Sequence, residues 1–575
     1  MKRIVMLLSA MWAAAWGGEV VDSRVRTWID PVRIVAERNA VQTASLLGAK
    51  HGQVCEGYFA RSTGTAVAGT NAWFILDFGR ELHGGVQLGM SPCTTKGAKL
   101  RLRFGESVSE TASSVDGRGT ATNDHALRDF EIPVPSFGQL EVGNTGYRFL
   151  RIDLAAGETA GFEFVRAVSL MRPMKAIGSF ASSDERLNRV FDTAVRTVHL
   201  CCQDYLWDGI KRDRLVWMGD THPETMAILN VFGAAAILPE SLDYMAAVTP
   251  PDRWMNTMPT YTLWWIRNLA AWYRYTGDTA YLAKHGDYLE RTFDHVCAGV
   301  KDGAWLAGTF LDWPTHDNPE AERAGTQGLA LITARETEMM ARALGRTALA
   351  DKARALAQTL GRQHPDPKGV KAAAALLALS GLADPQAMYE QALGRNGHAG
   401  VSTFYGYYML EAMSAADENQ RALDTVRDYW GAMLDVGATS FWEDFDLAWT
   451  NNCFRIDSLP VAGKKDIHGD YGNYCYKGFR HSLCHGWSAG PAAWCITHIL
   501  GIRPLDTGCR TVEVKPFLGD LAWAEGAMAL PDGRAVRVRA EKRADGTLAV
   551  RIDAPDSVKI IREEKTGTVP GGIRQ

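Results

Sequence analysis

Thirteen residues, Asp208-Gly-Ile-Lys-Arg-Asp-Arg-Leu-Val-Trp-Met-Gly-Asp220, hold three carboxylates, three cations and a tryptophan between apolar segments. Charge this dense is stable in a protein interior only when it is paired and hydrogen-bonded. A surface helix would space these groups along one solvated face, but Gly209, Trp217 and Gly219 interrupt that pattern. Carboxylates crowded beside arginines have pKa values driven apart, and acid/base chemistry on a polar, hydroxyl-rich ligand needs such a difference. An acid that keeps its proton and a second group that stays ionised are the two halves of that chemistry.

The elements that must position these groups follow from periodicity. From about residue 30 to 175 the pattern is β: Leu100 to Phe104 alternates strictly, as do parts of 130–134 and 149–154, and Gly79, Gly84, Gly85 and Gly97 read as turns between segments. Ser182 and Glu185 have capping-box spacing. Behind them Leu187, Val190, Phe191, Ala194, Val195 and Val198 follow the i, i+3, i+4 period of an amphipathic helix. Helical segments are expected at 224–236, 262–276, 280–299, 326–345, 347–360, 368–381, 404–415, 418–434 and 488–500. So many helices without a repeat of fixed period predict an α/α toroid rather than a solenoid, with the site on the loops at one end. After Pro504 alternation returns at 512–514, 536–538 and 548–552, with turns at Pro531-Asp-Gly533 and Asp545-Gly546. The expected architecture is an (α/α)6 barrel at 179–503, flanked by antiparallel β-sandwiches at 19–178 and 504–575.

Composition narrows the function. A chain of 575 residues exceeds one ordinary core, and 46% hydrophobic with 22% charged residues is a globular balance. A net charge of −4 gives no footprint for nucleic acid or an anionic membrane. Eighteen tryptophans and seventeen tyrosines suit stacking on sugar faces as well as core packing. Met1-Lys2-Arg3, the apolar run from Ile4 to Trp16 and the small residues near Gly17 and Gly18 predict a signal peptide at 1–18, too short for a membrane span, and hence a secreted or periplasmic protein. None of the ten cysteines forms a Cys-x-x-Cys pair, no Asp-x-Asp-x-Asp loop offers a calcium site, and no Gly-rich phosphate loop follows a strand. Neither a metal nor a cofactor is expected.

The pattern Asp208-x-x-x-Arg212-Asp213-x-x-x-Trp217-x-Gly219-Asp220 resembles the signature of bacterial α-L-rhamnosidases, glycoside hydrolase family 78. Asp77-Phe-Gly79 followed by Gly84-Gly85 also looks like that family's N-terminal sandwich, and the order of domains is similar. The resemblance implies an inverting hydrolase of terminal α-L-rhamnosides. It places Asp213 at the general-acid position, where many members carry glutamate; being one methylene shorter, aspartate needs the barrel wall nearer the glycosidic oxygen. Glu443, in Thr439-Ser-Phe-Trp-Glu-Asp-Phe445, matches the general base, and a glutamate between a tryptophan and a second acid is suited to activating water. Asp208, Arg212 and Asp220 are expected to bond sugar hydroxyls. Trp217, Trp313 or Trp442 would give the 6-deoxy methyl an apolar wall. Leu311-Asp312-Trp313-Pro314 and Cys484-His485-Gly486-Trp487 resemble further site loops, which adds Asp312 and His485.

Plainer readings stand beside these. Asp213 would otherwise be an ion-pair partner of Arg212 or Arg214, Glu443 a loop bridge, His485 a satisfied buried histidine, and each tryptophan a packing residue. Glu224 suits a first-turn acid favoured by the helix macrodipole. Two rival functions remain open at this level: an α/α-barrel glycosidase for a uronic acid or hexose, and a non-catalytic carbohydrate-binding homologue. The expected partner in every case is an oligosaccharide or glycoside. Oligomeric state is not legible.

Overall fold

The structure, a computed structural model, describes residues 21–48, 65–68, 72–115, 121–155 and 157–562. The expected signal peptide, Cys55 and the chain end after 562 lie outside the described residues.

The first part is one antiparallel sheet of eight strands. Its spine is Ala72–Met90, which pairs with Gly138–Leu154 on one side and with Arg33–Arg38 and Thr159–Met171 in turn on the other. Phe74, Leu76, Phe78, Leu82, Val86 and Leu88 on this strand are buried in a core shared with Leu100, Leu102 and Phe104. Gly79, Gly84 and Gly85, expected as turns, lie inside this nineteen-residue strand. They sit where its pairing with Gly138–Leu154 shifts register, between Asp77 and Leu82 and between Gly84 and Val86. At Gly84 φ is +143° and a Cβ would fall 2.1 Å from the carbonyl oxygen of Val168, so the residue marks a bulge and a close backbone approach. One hydrogen-bonded sheet thus continues past both register shifts.

The helical part begins at Glu185–Cys201. Its N-cap is Asp184, whose carboxylate accepts from the Arg186 and Leu187 amides, and not Ser182, whose hydroxyl bonds Asn188. Predicted helices appear at Thr221–Phe232, Pro259–Thr276, Pro319–Ala343, Thr347–Leu360, Lys371–Ser380 and Gly406–Ala415. Their ends have local causes: Pro319 occupies the first turn behind the Asn318 cap, and Gly277 and Gly381 take the left-handed conformation at C-termini. The expected helix at 280–299 breaks at His285 into Thr279–Lys284 and Gly286–Ala298. Ile237–Val248 was not foreseen. Trp264, Trp265, Trp430 and Trp494 are fully buried in the core of this part.

The C-terminal strands form two small sheets. Leu548–Asp553, Ala535–Lys542 and Trp523–Ala529 are joined by Ser179–Ser182 from before the first helix. Ile502–Pro504, Thr511–Val514 and Lys559–Ile561 make the other. Ser179–Ser182 is four residues long, too short for its alternation to be read, and it ties the start of the helical part to the C-terminal sheet. The chain is thus a helical domain flanked by sheet domains. Among the described residues no helix is long and apolar enough to cross a membrane, and the nine described cysteines are free thiols.

Candidate active site

Three irregular segments meet beside the N-terminus of helix Thr221–Phe232. The stretch after Glu185–Cys201 bends back on itself, with the Asp208 amide donating to the Leu215 carbonyl at 3.0 Å. A second segment lies alongside: Gly209 forms an antiparallel bridge with His485, and the Gly486 amide donates to the Asp208 carbonyl at 2.8 Å. The third, Ser440 to Phe445, docks on the other edge through His485 N to Phe441 O and Glu443 N to Ser482 O, both 2.9 Å. Backbone hydrogen bonds between loops thus set the site before any side chain acts.

The expected residues converge here. Asp208 accepts from the Leu215 amide at 2.9 Å, and its other oxygen lies 3.6 Å from His485 Nε2. His485 Nε2 is 3.9 Å from both Asp220 Oδ2 and Glu443 Oε1. Asp220 also accepts from the Tyr261 hydroxyl at 3.0 Å. Glu443 is held at both oxygens, by the Arg212 guanidinium and by the Ser482 amide at 3.0 Å. Arg212 reaches the Cys475 carbonyl with its other terminal nitrogen at 3.3 Å. Asp213 is the most open of the carboxylates in this cluster, 22% exposed, with His125 Nδ1 at 3.4 Å. Its Oδ2 accepts from Trp217 Nε1 at 3.2 Å, although the segment is not helical. Asp213 and Arg214 have φ of +51° and +57°, a conformation non-glycine residues rarely hold and one that gathers at functional sites.

Burial dominates the electrostatics. It drives the carboxyls of Asp208 and Asp220 well above the usual range, and the charge of neighbouring carboxylates adds to the effect. Burial also lowers His485 to about 4, against the pull of Glu443, so the ring is neutral near pH 7. Asp444 is pushed up to about 7, first by burial and then by Glu443. Burial opposes the charge on Arg212, yet the carboxylates around it, Glu443 foremost, raise its pKa. The cluster therefore offers protonated donors and charged acceptors within one small volume, the range of partners a polyol needs.

The remaining candidates divide. Asp312 caps the short helix Trp313–His316 and accepts from Ser402 at 3.2 Å; the next residue, Thr403, donates to the Glu443 carbonyl at 2.6 Å. Trp313, half-buried, stacks at 5.7 Å on Tyr474, the neighbour of Cys475. Trp442 is fully buried against Phe445 and His481, so its ring has no face for a sugar. Trp487, in the loop already singled out, lies 3.9 Å from the His485 ring and donates to the Glu443 carbonyl. Ser482 and Tyr261 escape a sequence reading, because a lone serine or tyrosine carries no spacing signal. A cavity of about 640 Å³ lined by His222, Arg267, Arg274, Glu336 and Tyr408 shares none of the cluster's residues, so convergence of chemistry and not volume marks the site. Among the described residues, two groups place metal-ligating atoms within 4.8 Å of one another: Asp208, Asp220 and His485, and Glu106, Glu110 and His468. In the second group Lys211 Nζ, at 3.0 and 2.9 Å from the two glutamates, already supplies the positive charge.

Glu224 adds a stability consequence. It is fully buried in the first turn of Thr221–Phe232, neither oxygen has a hydrogen-bond partner, and burial with the charges of Asp220 and Asp208 raises its pKa well above normal. Its neutral form is favoured on folding without penalty below the unfolded value of about 4.3, and that stability is lost as pH rises toward the folded value. Glu224→Gln is therefore expected to match the native protein at pH 4 and to exceed its stability at pH 8 by about 1–3 kcal/mol. Urea unfolding at the two pH values measures this, and an equal offset at both would contradict it.

Residues 175–365 match the family described as the bacterial alpha-L-rhamnosidase 6 hairpin glycosidase domain. No curated protein matches the chain. The fold is similar to the family 78 rhamnosidase of Bacillus sp. GL1, with TM-score 0.72 and 22% identity over 91% of this chain and 56% of that one. The α-L-rhamnosidase from Dictyoglumus thermophilum aligns with TM-score 0.69 and 16% identity over 94% of this chain and 59% of the other. A rhamnosidase from Klebsiella oxytoca with rhamnose bound aligns with TM-score 0.63 and 20% identity, over 83% of this chain and 96% of that one. The chain thus spans less than two-thirds of the length of the first two. The signature from Asp208 to Asp220 lies inside the matched region.

Proposed function

We propose that this protein is an exported, inverting α-L-rhamnosidase whose helical domain is an (α/α)6 barrel. The observation that carries the reading is the meeting of Asp208, Arg212 and Asp220 with Glu443 and His485, groups from distant segments, around one pair of backbone-bridged loops, with Asp213 next to Arg212 in the chain. Asp213, the most open carboxyl of that cluster, delivers a proton to the glycosidic oxygen as the bond to the anomeric carbon breaks. Glu443, an acceptor at both oxygens, takes a proton from the water that attacks the opposite face. Inversion needs roughly 6.5–9.5 Å between the two carboxyls, room for that water, against roughly 5–5.5 Å in a retaining pair. Asp208, Asp220 and neutral His485 bond the sugar hydroxyls, while Trp217 and the Trp313–Tyr474 pair offer apolar faces. Export rests on the basic start and apolar run of residues 1–18.

Hydrolysis of an aryl α-L-rhamnoside followed by proton NMR tests this. The β-anomer of free rhamnose is expected to appear first and then to mutarotate. First appearance of the α-anomer overturns the inverting assignment, and absence of turnover on rhamnosides overturns the substrate.

A further inference from the structure

The helical loops do not hold Glu443 unaided. Glu106 follows strand Lys99–Gly105 of the N-terminal sheet and directly precedes Ser107, the N-cap of Val108–Ala112. It is fully buried, and its carboxylate leaves the sheet and enters the site's supporting loop. Oε2 accepts from the Leu483 amide at 2.7 Å, and Oε1 from the Ser482 hydroxyl at 3.3 Å. The Ser482 amide is one of the two donors to Glu443. The other donor is Arg212, and its neighbour Lys211 lies 3.0 Å from Glu106 Oε2. Lys211 also donates to the His481 carbonyl at 2.6 Å, so both segments that grip Glu443 are tied to the same glutamate. Nothing in hydrolysis as proposed requires a buried acid in the sheet domain. A carboxylate placed between two loops costs desolvation, and that cost is offset here by a lysine, a peptide amide and a hydroxyl.

From this arrangement we infer that Glu106 is a positioning residue: it anchors the Ser482–Leu483 peptide and Lys211 so that Ser482 and Arg212 present their donors to Glu443, which makes the N-terminal sheet a working part of the hydrolytic site. This deepens the rhamnosidase reading and rests on it. Attacking water tolerates little error in its base, because displacement by about 1 Å is enough to cost roughly 100-fold in rate. Ground-state recognition of the sugar depends on other groups, Asp208, Asp220 and His485, which do not touch Glu106.

The deciding experiment uses the full chain with 4-nitrophenyl α-L-rhamnoside for turnover and L-rhamnose calorimetry for binding. Glu106→Gln keeps the side chain's shape and leaves Lys211 paired with Glu110, 2.9 Å away. It is expected to lower kcat by roughly 10–100-fold while KM and the rhamnose Kd stay within about threefold of wild type. A kcat within about twofold of wild type overturns the inference, as does a loss of rhamnose binding that matches the loss of turnover, which is the mark of a structural role. Should Glu106→Gln give no folded protein, Ser482→Ala decides: it removes the hydroxyl donor to Glu106 and leaves every charge in place. About a threefold or larger fall in kcat with unchanged rhamnose affinity supports the anchor, and unchanged kcat overturns it. Glu443→Gln keeps the two readings apart. If it is inactive while Glu106→Gln is fully active, only the positioning role fails; if it turns over like wild type, the base assignment and the anchor fall together.

Discussion

Glu443→Gln is expected to lower kcat on an aryl α-L-rhamnoside by roughly 1,000-fold, within the usual range for removal of a general base, with little change in KM. The amide keeps a carbonyl oxygen for the Arg212 and Ser482 donors, so the pocket keeps its shape while the proton acceptor for water is lost. The loss should not depend on the leaving group, because the base acts on the water side of the reaction. Asp213→Asn should behave differently. A 4-nitrophenolate leaves with little need of a proton, so its turnover falls by roughly tenfold, whereas an alkyl rhamnoside falls by roughly 1,000-fold. Steady-state kinetics of both variants on both substrates measures this contrast. Equal losses across leaving groups in Asp213→Asn would remove it from the acid role.

Gly486→Ala should produce the largest structural effect of a single methyl group at this site. A Cβ built on Gly486 lies 1.6 Å from Glu224 Oε1, and the Glu224 side chain is wholly enclosed. Either the glutamate or the loop has to move. Loop movement carries His485 away from Asp208 and Asp220 and strains the bond from the Gly486 amide to the Asp208 carbonyl. The expected outcome is a loss of about 1–3 kcal/mol in stability and a fall of roughly 100-fold in kcat/KM. Adding Glu224→Ala makes room for the methyl and should restore most of the stability. If Gly486→Ala unfolds and turns over like the native protein, the close approach of these two segments is wrong.

How much of this was legible depended on the range of the interactions involved. Helices such as Glu185–Cys201 and Thr347–Leu360 were read from the period of their apolar residues, because one face is buried and the other wet. The same logic failed for Ala72–Met90. That strand is buried along nearly its whole length, so it shows no alternation, and its glycines mimic turns. Ile237–Val248 lies just beyond the expected helix at 224–236, and its Pro239 sits harmlessly in the first turn. In the site, the crowded carboxylates from Asp208 to Asp220 were visible because their chemistry is local and dense. Trp442 was expected as an apolar wall for the sugar methyl, but its ring is enclosed against Phe445 and His481, a contact between segments that its place in the sequence does not reveal.

Residue order alone settled the sequence of sheet, helical and sheet regions and marked a segment dense in carboxylates and cations, since periodicity and charge density are properties of short stretches. Which groups face one another depended on contacts between segments hundreds of positions apart. The Arg212–Glu443 pair, the three carboxylates around His485 and the reach of Glu106 into the loop at 482–483 all arise where backbones cross. Spacing along a chain carries no information about such crossings, because the hydrogen bonds and burial that stabilise them exist only once the loops have docked.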